Sequence, residues 1–206
     1  MAVLSQARLW ERVDVTGCEH VTYDDRRGLT ARGVQLGSAP VPYSCRYELF
    51  TDDGWVTARF EATADGAGWL RTIRIERAAG RWRVTTAEQG NLDAAVRAAG
   101  QPTQPFPGIE DPDRLAEAYD LDLAASPLTN TLPIRRLGLL TAPPGRRHTI
   151  TAAWVLVPSL AVVPSEQEYT VLDGGQIRYS SGRFAADLTV DWSGFVVNYP
   201  QLARQG

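Results

Sequence analysis

Lysine is absent from this 206-residue chain, and cysteine and histidine occur only twice each. All 21 basic residues are therefore arginines, which excludes Schiff-base chemistry on lysine and leaves planar groups suited to carboxylates or phosphates. Cys18 and Cys45 lie far apart without CxxC spacing. The only histidines are His20 and His148, so the sequence supplies no set of Cys and His metal ligands. We expect no metal, no cofactor and two buried structural thiols.

Long apolar runs and an excess of one charge are also missing. No segment approaches the roughly 18 apolar residues that a membrane span needs, and the N-terminus lacks the pattern of a secretory signal. The 24 acidic residues nearly balance the arginines, for a net charge of −3, so nothing points to a nucleic-acid partner. The catalytic GxSxG motif, the Gly-rich phosphate loop and the dinucleotide fingerprint are absent. We expect a cytoplasmic protein.

What is present is a succession of short segments that alternate apolar and polar residues. Segments such as "HVTYDD", "WVTARFEATA" and "WLRTIRIERA" alternate with turn-forming stretches over the first 86 residues, and the pattern returns after residue 145. Such spacing predicts an antiparallel meander followed by a second β-rich half. The chain length fits a single domain over residues 1–206.

The segment 91–118 interrupts this pattern. Asn91 is placed to cap a short Ala-rich helix that Gly100 ends, and the prolines of "QPTQPFPGIEDPD" oppose regular structure after it. We interpret the segment as an excursion from the sheet. It is either a solvated loop with little structural weight or a lid over an opening.

A second unusual stretch, "ASPLTNTLPIRRLG", covers residues 125–138. Ser126 before a proline predicts a helix N-terminus, whereas Pro133 inside that helix would cost about 3 kcal/mol. We therefore expect one helical turn, a break near Leu132, and a short helix from Pro133 to about Leu137 that Gly138 stops. Because the stretch is apolar nearly all round, it should be enclosed by the sheet.

Five segments in order carry a resemblance to a known family: "ARLWERVDVTGCEH", "YELFTDDGWVTAR", "DLDLAASPLTNTLPIRRLGL", "VPSLAVVPSEQEYTVL" and "FAADLTVDWSGFVVNYP". The chain resembles the bacterial putative glycolipid-binding proteins. That resemblance implies a mainly β fold, a spiral β-roll in which a long antiparallel sheet winds around one short central α-helix, here residues 125–138. It also implies a homodimer. The family positions matched are Trp10, Gly17, Glu19, His20, Asp52 and Trp55.

Three acidic residues are the catalytic candidates: Glu19, Asp52 and Asp122. Glu19 and His20 are adjacent, so on a strand they point to opposite faces and only one of them can enter a cavity. Glu19 has two possible roles. It is a half-buried carboxylate that pairs with an arginine, or it is an acid whose pKa is raised by an apolar cavity. Asp120 and Asp122 share one face of a strand, and Asp122 stays solvated, pairs with Arg135 or Arg136, or acts with Asp120 as acid and base.

The candidate ligand-binding residues combine aromatic and polar side chains. Arg135 and Arg136 lie roughly 100° apart on a helix, so at most one of them faces a given cavity, and each binds a head group or forms a structural salt bridge. Aromatic residues suit flat or long apolar ligands. The full set is Trp10, His20, Tyr47, Trp55, Asn130, Arg135 and Arg136.

The leading hypothesis is non-catalytic binding of an amphipathic lipid or glycolipid-like ligand, in an apolar cavity between the sheet and the central helix. The alternative is a small enzyme of secondary metabolism, a cyclase, isomerase or hydrolase, in which Glu19, Asp52, Asp122 or Tyr47 supplies a proton to a hydrophobic substrate. A third hypothesis is a purely interactive protein that acts through its dimer face. An apolar cavity beside residues 126–140 would favour the first two.

Overall fold

A computed structural model describes residues 6–78 and 80–206. These residues form one 15-stranded sheet, two short α-helices and several 3-10 turns. The sheet runs in the order β7-β6-β5-β4-β3-β2-β1-β15-β14-β13-β12-β11-β10-β9, and β8 pairs with β11. The mainly β class predicted from the alternating segments is confirmed.

The first half of the chain is a meander of seven strands that pair antiparallel in chain order. They are β1 (Gln6–Arg12), β2 (Gly17–Asp24), β3 (Thr30–Gly37), β4 (Tyr43–Thr51), β5 (Thr57–Gly66), β6 (Trp69–Ala78) and β7 (Arg81–Gly90). The meander predicted from the sequence is confirmed, and it extends through residue 90.

The second half contributes six further antiparallel strands. They are β10 (Arg147–Val155), β11 (Ala161–Val171), β12 (Gln176–Ser181), β13 (Phe184–Val190), β14 (Val196–Tyr199) and β15 (Ala203–Gln205). Pairing of β15 with β1 joins the two halves into a single sheet. The only parallel pairs among the described strands involve the short β8 (Gly108–Ile109) with β11 and β9 (Asp120–Leu123) with β10.

The segment 91–118 contains more structure than the sequence indicated. Its helix, α1 (Leu92–Ala98), begins as predicted, because Oδ1 of Asn91 accepts a hydrogen bond of 2.9 Å from the amide of Ala94. β8 and a 3-10 turn over Pro112–Leu115 form within the proline-rich part, where we expected no regular structure.

Most residues of this segment are exposed, as expected for a solvated loop, but the segment has more structural weight than that interpretation gave it. Apolar side chains four residues apart place one face of α1 in the core, and the turn before β9 adds two more buried groups. Its fully buried residues are Leu92, Val96, Leu115 and Ala118. The segment is therefore part of the hydrophobic core as well as an excursion from the meander.

The stretch 125–138 is helical, but its break lies earlier than predicted. A 3-10 turn over Pro127–Asn130 precedes α2 (Thr131–Arg136), so Leu132 is helical and the change of geometry falls at residue 130. Pro133 is the third residue of α2. There its missing N–H has no intrahelical acceptor to lose, so the helix tolerates it. Gly138, with φ of 66°, lies just after the helix as predicted.

The helical stretch connects two hydrophobic clusters. Leu128 and Leu132 belong to a cluster that includes inward side chains of β1–β6. Ile134 and Leu139 belong to a second cluster, formed with β11–β14. Every residue from 127 to 134 is buried, which agrees with the prediction that an all-round apolar segment should be enclosed.

Two smaller expectations are also decided by the fold. Both cysteines are free thiols, but only Cys45 is fully buried, since Cys18 lies on the outward face of β2 and is partly exposed. Across the described ranges, each helix is too short or too polar to cross a bilayer.

Candidate functional site

Glu19 is directed into the interior from β2 and is only 1% exposed. The next residue, His20, points outward and is exposed. The prediction that these neighbours occupy opposite faces is confirmed. Only Glu19 can act inside the fold.

Two hydroxyl groups bind the same oxygen of Glu19. Tyr47 on β4 and Ser126 before the helical stretch each donate a hydrogen bond of 2.6 Å to Oε1. Oε2 is buried and has no partner among the residues described. Burial raises the pKa of Glu19 to about 7, although the two hydroxyl groups stabilise the charged form and oppose this shift. The predicted alternative of an ion pair between Glu19 and an arginine is wrong.

A glycine lets Tyr47 reach Glu19 across an intervening strand. Gly33 on β3 pairs with Tyr47 on one side and with Val21 on the other. A Cβ atom at Gly33 would lie 2.2 Å from Cζ of the Tyr47 ring. The absence of a side chain at Gly33 therefore allows the ring to lie over β3, with its hydroxyl group at Glu19.

Asp122 on β9 is a second acid with neutral partners. Thr129 donates to Oδ1 at 2.9 Å, and Gln167 donates to Oδ2 at 2.7 Å. Burial is the main cause that raises the pKa of Asp122 to about 6, while these two donors lower it and the nearby Asp120 raises it further. The predicted pairing of Asp122 with Arg135 or Arg136 is wrong.

Further hydrogen bonds extend this network across the interior. The amide of Asn130 donates to the hydroxyl group of Tyr169 at 3.0 Å, and that hydroxyl donates to Gln167 at 3.2 Å. Gln167 then reaches Asp122, so the network joins the helical stretch to β11 and β9. Such fully connected buried groups fix one arrangement of side chains.

A cavity of about 360 Å³ adjoins these polar groups. Its aromatic wall includes three rings in mutual contact, Tyr179, Phe184 and Tyr199, whose centroids are 6.1–6.2 Å apart. The remaining wall combines small, apolar and polar side chains. The complete lining is Asp122, Leu123, Ala124, Ala125, Ser126, Asn130, Trp154, Ser165, Tyr179, Ser181, Gly182, Phe184, Tyr199 and Leu202.

Ser126 connects the cavity to Glu19, a role that sequence reasoning missed. We predicted Ser126 as a helix cap, and it does occupy that position, but its hydroxyl makes no capping bond and donates to Glu19. The preceding Ala125 has a φ of 62°, in the left-handed region that non-glycine residues rarely adopt. A strained residue beside a cavity is typical of functional sites.

The two arginines of the helical stretch do not line this cavity. Arg136 forms an ion pair with Asp120, with hydrogen bonds of 2.6–3.2 Å, so here the predicted salt bridge is confirmed. Arg135 also forms a salt bridge, with 3.6 Å to Asp25, and donates to the carbonyl oxygen of Ser193 at 2.7 Å. Its guanidinium lies 4.3 Å from the centre of the Trp55 ring. Both arginines hold structural positions.

Three other predicted site residues also lie away from the cavity. Nε1 of Trp10 donates to the carbonyl oxygen of Val196 at 2.7 Å, within the core. Asp52 accepts the amides of Gly54 and Val56, each at 2.9 Å, and so shapes the turn between β4 and β5. Trp55 is buried in the same turn, with a φ of 67°. Of the predicted set, Asp122 and Asn130 line the cavity. Glu19 lies behind the wall residue Ser126, and Tyr47 contacts Glu19.

Two further concavities lie elsewhere on the molecule. A groove of about 640 Å³ covers the outward face of β2–β7 and includes His20, but its charged side chains are largely paired, as in the 2.9 Å contact between Arg32 and Glu48. A groove of about 570 Å³ lies beside the exposed Trp192. Within the described ranges, no three His, Cys, Asp or Glu side chains cluster closely enough to hold a metal ion.

Comparison with known proteins gives one family and one similar structure. A search of proteins with curated functions found no match. The crystal structure of a DUF1089 family protein from Pseudomonas aeruginosa matches with a TM-score of 0.69 and 24% identity, over 99% of each chain. That likeness supports the fold alone. The family described as "Putative glycolipid-binding" matches residues 7–205. Because this match covers almost the whole chain, the protein belongs to the putative glycolipid-binding family.

Proposed function

We propose that the 360 Å³ cavity binds an amphipathic, glycolipid-like ligand. The observation that carries the proposal is the division of its wall into an aromatic part and a hydrogen-bonding part. Ligand sites are usually cavities of about 300–1,000 Å³ with mostly apolar walls and a few convergent polar groups. This cavity has both properties, and the family description agrees with such a ligand.

The aromatic part provides the binding surface for the apolar portion of the ligand. Tyr179, Phe184 and Tyr199 present ring faces and edges, and Trp154 lines the same cavity. Trp154 is 37% exposed and Phe184 is 39% exposed, so both stand where the cavity meets solvent. Burying their exposed surface against a ligand is favourable at about 25 cal/mol per Å² of apolar area.

The polar part provides partners for hydroxyl groups. Asp122 is an acceptor when ionised, whereas Ser126 and Asn130 can each donate and accept. Sugar hydroxyls need both kinds of partner. A head group at this end would therefore exchange its water contacts for charge-assisted and neutral hydrogen bonds.

The proposal includes the finer architecture that the family resemblance implies. The sheet forms a spiral β-roll around the helical stretch 127–136, so that this stretch supplies one wall of the cavity through Asn130. The structural contacts of the fold around the cavity are then the role of four predicted site residues: Trp10, Trp55, Arg135 and Arg136. The segment 91–118 packs into the core on the side of β6 and β7, and we assign it no contact with the ligand.

The test is native mass spectrometry of the protein after expression in bacteria, followed by denaturing extraction of any released compound. Ser165 lines the cavity from β11, so Ser165→Phe should fill it. Thr170→Phe, on the outward face of the same strand, is the matched control. We expect a bound amphiphile in the wild type and in Thr170→Phe, and little or none in Ser165→Phe. Equal occupancy in all three proteins would place the ligand elsewhere, and an empty wild type that also fails to take up added amphiphile would refute the proposal.

A further inference from the structure

Two acids approach the same cavity with different partners. Asp122 lies on the cavity wall, and Glu19 lies directly behind Ser126, which is itself on the wall. We propose that the cavity transfers protons on its ligand, an amphiphile whose polar end carries a carbonyl group with a hydrogen atom on the neighbouring carbon. Asp122 removes that hydrogen as a proton, and Ser126 donates a proton to the carbonyl oxygen. This inference rests on the proposed binding function and adds an activity to it.

Asp122 has the properties of a general base. Its two carboxylate oxygens accept bonds from a hydroxyl and an amide, Thr129 and Gln167, which hold it in position without neutralising its charge. Each oxygen retains a further lone pair that can face the cavity. Its pKa of about 6 keeps it largely ionised at neutral pH, close to the optimum for a base.

Ser126 and Glu19 have the properties of the matching acid. Ser126 has one hydroxyl proton, and while Glu19 is charged this proton is used in the hydrogen bond that Ser126 donates to Glu19. When Glu19 is protonated, it donates to Ser126 instead, and the hydroxyl proton of Ser126 is free for a ligand oxygen. A pKa of about 7 maintains a large protonated fraction of Glu19 at neutral pH. Tyr47 donates to the same oxygen of Glu19 and positions it.

The reaction balances without a further reactant. The C–H bond breaks and its electron pair forms a carbon–carbon double bond, while the carbonyl π electrons move to oxygen and take the proton of Ser126. Ser126 is reprotonated by Glu19, and Asp122 holds the abstracted proton. Reversal with return of the proton to the same carbon gives hydrogen exchange, and its return to a conjugated carbon gives an isomer. Nothing is oxidised or reduced.

The pH dependence follows from the groups that face each acid. Glu19 faces the hydroxyl of Tyr47 and the thiol of Cys45, and the pKa of both is raised by burial. Asp122 faces the following groups: Asp120, Tyr169, Tyr179 and Tyr199. The three tyrosines stay neutral at physiological pH because burial raises their pKa values. The reaction needs Asp122 ionised and Glu19 protonated, so its rate should be highest between about pH 6 and 7.

The experiment follows deuterium uptake at carbon 2 of α-tetralone, a bicyclic aromatic ketone, by proton NMR in D2O. We expect the wild type to accelerate exchange, and Asp122→Asn to lower the rate roughly a hundredfold. Ser126→Ala should lower it as well, which provides a second variant if the first one folds poorly. Asp187→Asn, which removes an exposed carboxylate on β13, is the matched control and should exchange like the wild type.

Glu19 acts through Ser126, so its variant is judged by the pH profile. Glu19→Gln should flatten the fall in rate above pH 7, because the titrating group is gone. Exchange in the wild type no faster than in Asp122→Asn would overturn the inference, as would a profile that Glu19→Gln leaves unchanged. If mass spectrometry still finds a bound amphiphile in that case, the binding function stands and only the proton transfer fails.

Discussion

The hydroxyl group of Tyr47 lies 2.6 Å from Oε1 of Glu19, and the tyrosine ring reaches it by passing over Gly33. Three neighbouring strands thus determine the surroundings of one buried carboxyl group. A residue without a side chain on the middle strand is as necessary to this arrangement as the two partners.

Gly33→Ala should therefore destabilise the protein by about 1–3 kcal/mol, because the added methyl group would overlap the Tyr47 ring. Urea unfolding at neutral pH measures the loss. Gly54→Ala is the control, since its Cβ would meet only the flexible Asp52 side chain, at 3.3 Å. A loss at Gly33 no larger than at Gly54 would mean that the ring does not occupy this space.

The free energy of unfolding should fall as pH rises from about 4.5 to 7. The pKa of Glu19 is about 7 in the folded protein and near 4.5 when the chain is unfolded, so the folded state holds more protons over that interval. The contribution is complete below pH 4.5 and is lost as pH rises through 7, and it amounts to on the order of 3 kcal/mol. Urea unfolding of Glu19→Gln should show a weaker pH dependence than the wild type. An identical dependence would contradict the burial of a neutral Glu19.

Arg136→Met should destabilise the protein by about 3–5 kcal/mol, because it leaves the buried Asp120 without its ion-pair partner. Adding Asp120→Asn should restore part of the loss, since a neutral amide is cheaper to bury than a charge. The double-mutant cycle isolates the coupling between the two residues. Additive losses would show that the ion pair is not the cause. The exposed pair of Arg178 and Asp187 is the control, and its coupling should be much smaller because solvent screens it.

Leu92→Ala should cost about 2–5 kcal/mol, as expected for a fully buried leucine. Phe106→Ala, in the same segment, should change stability little because Phe106 is 79% exposed. Thermal unfolding by circular dichroism compares the two variants. If both variants lost equally little stability, the segment 91–118 would be a loop that contributes little to the stability of the fold.

Local patterns in the sequence predicted local structure well. Alternation predicted the meander of β1–β7, Asn91 predicted the start of α1, and adjacency predicted that Glu19 and His20 face opposite sides. These features depend on neighbours along the chain. The break predicted near Leu132 from Pro133 was wrong, because α2 begins at Thr131 and accepts Pro133 within its first turn.

The candidate site depends instead on contacts between distant parts of the chain. Ser126 and Glu19 are 107 residues apart, and Gln167 and Asp122 are 45 apart. Alternation along each strand cannot indicate which strands meet. One signal was available, since a glycine within a strand, such as Gly33, often marks a place where another group passes closely.

We propose above that an amphipathic ligand occupies the cavity lined by Asp122, Ser126 and Asn130. The most direct test of this proposal is isothermal titration calorimetry with octyl β-glucoside, kept below its critical micelle concentration, for the wild type and for Ser165→Phe. We expect saturable binding at one site in the wild type and in Thr170→Phe, and no binding in Ser165→Phe. Binding that is absent from the wild type, or that survives in Ser165→Phe, would contradict it.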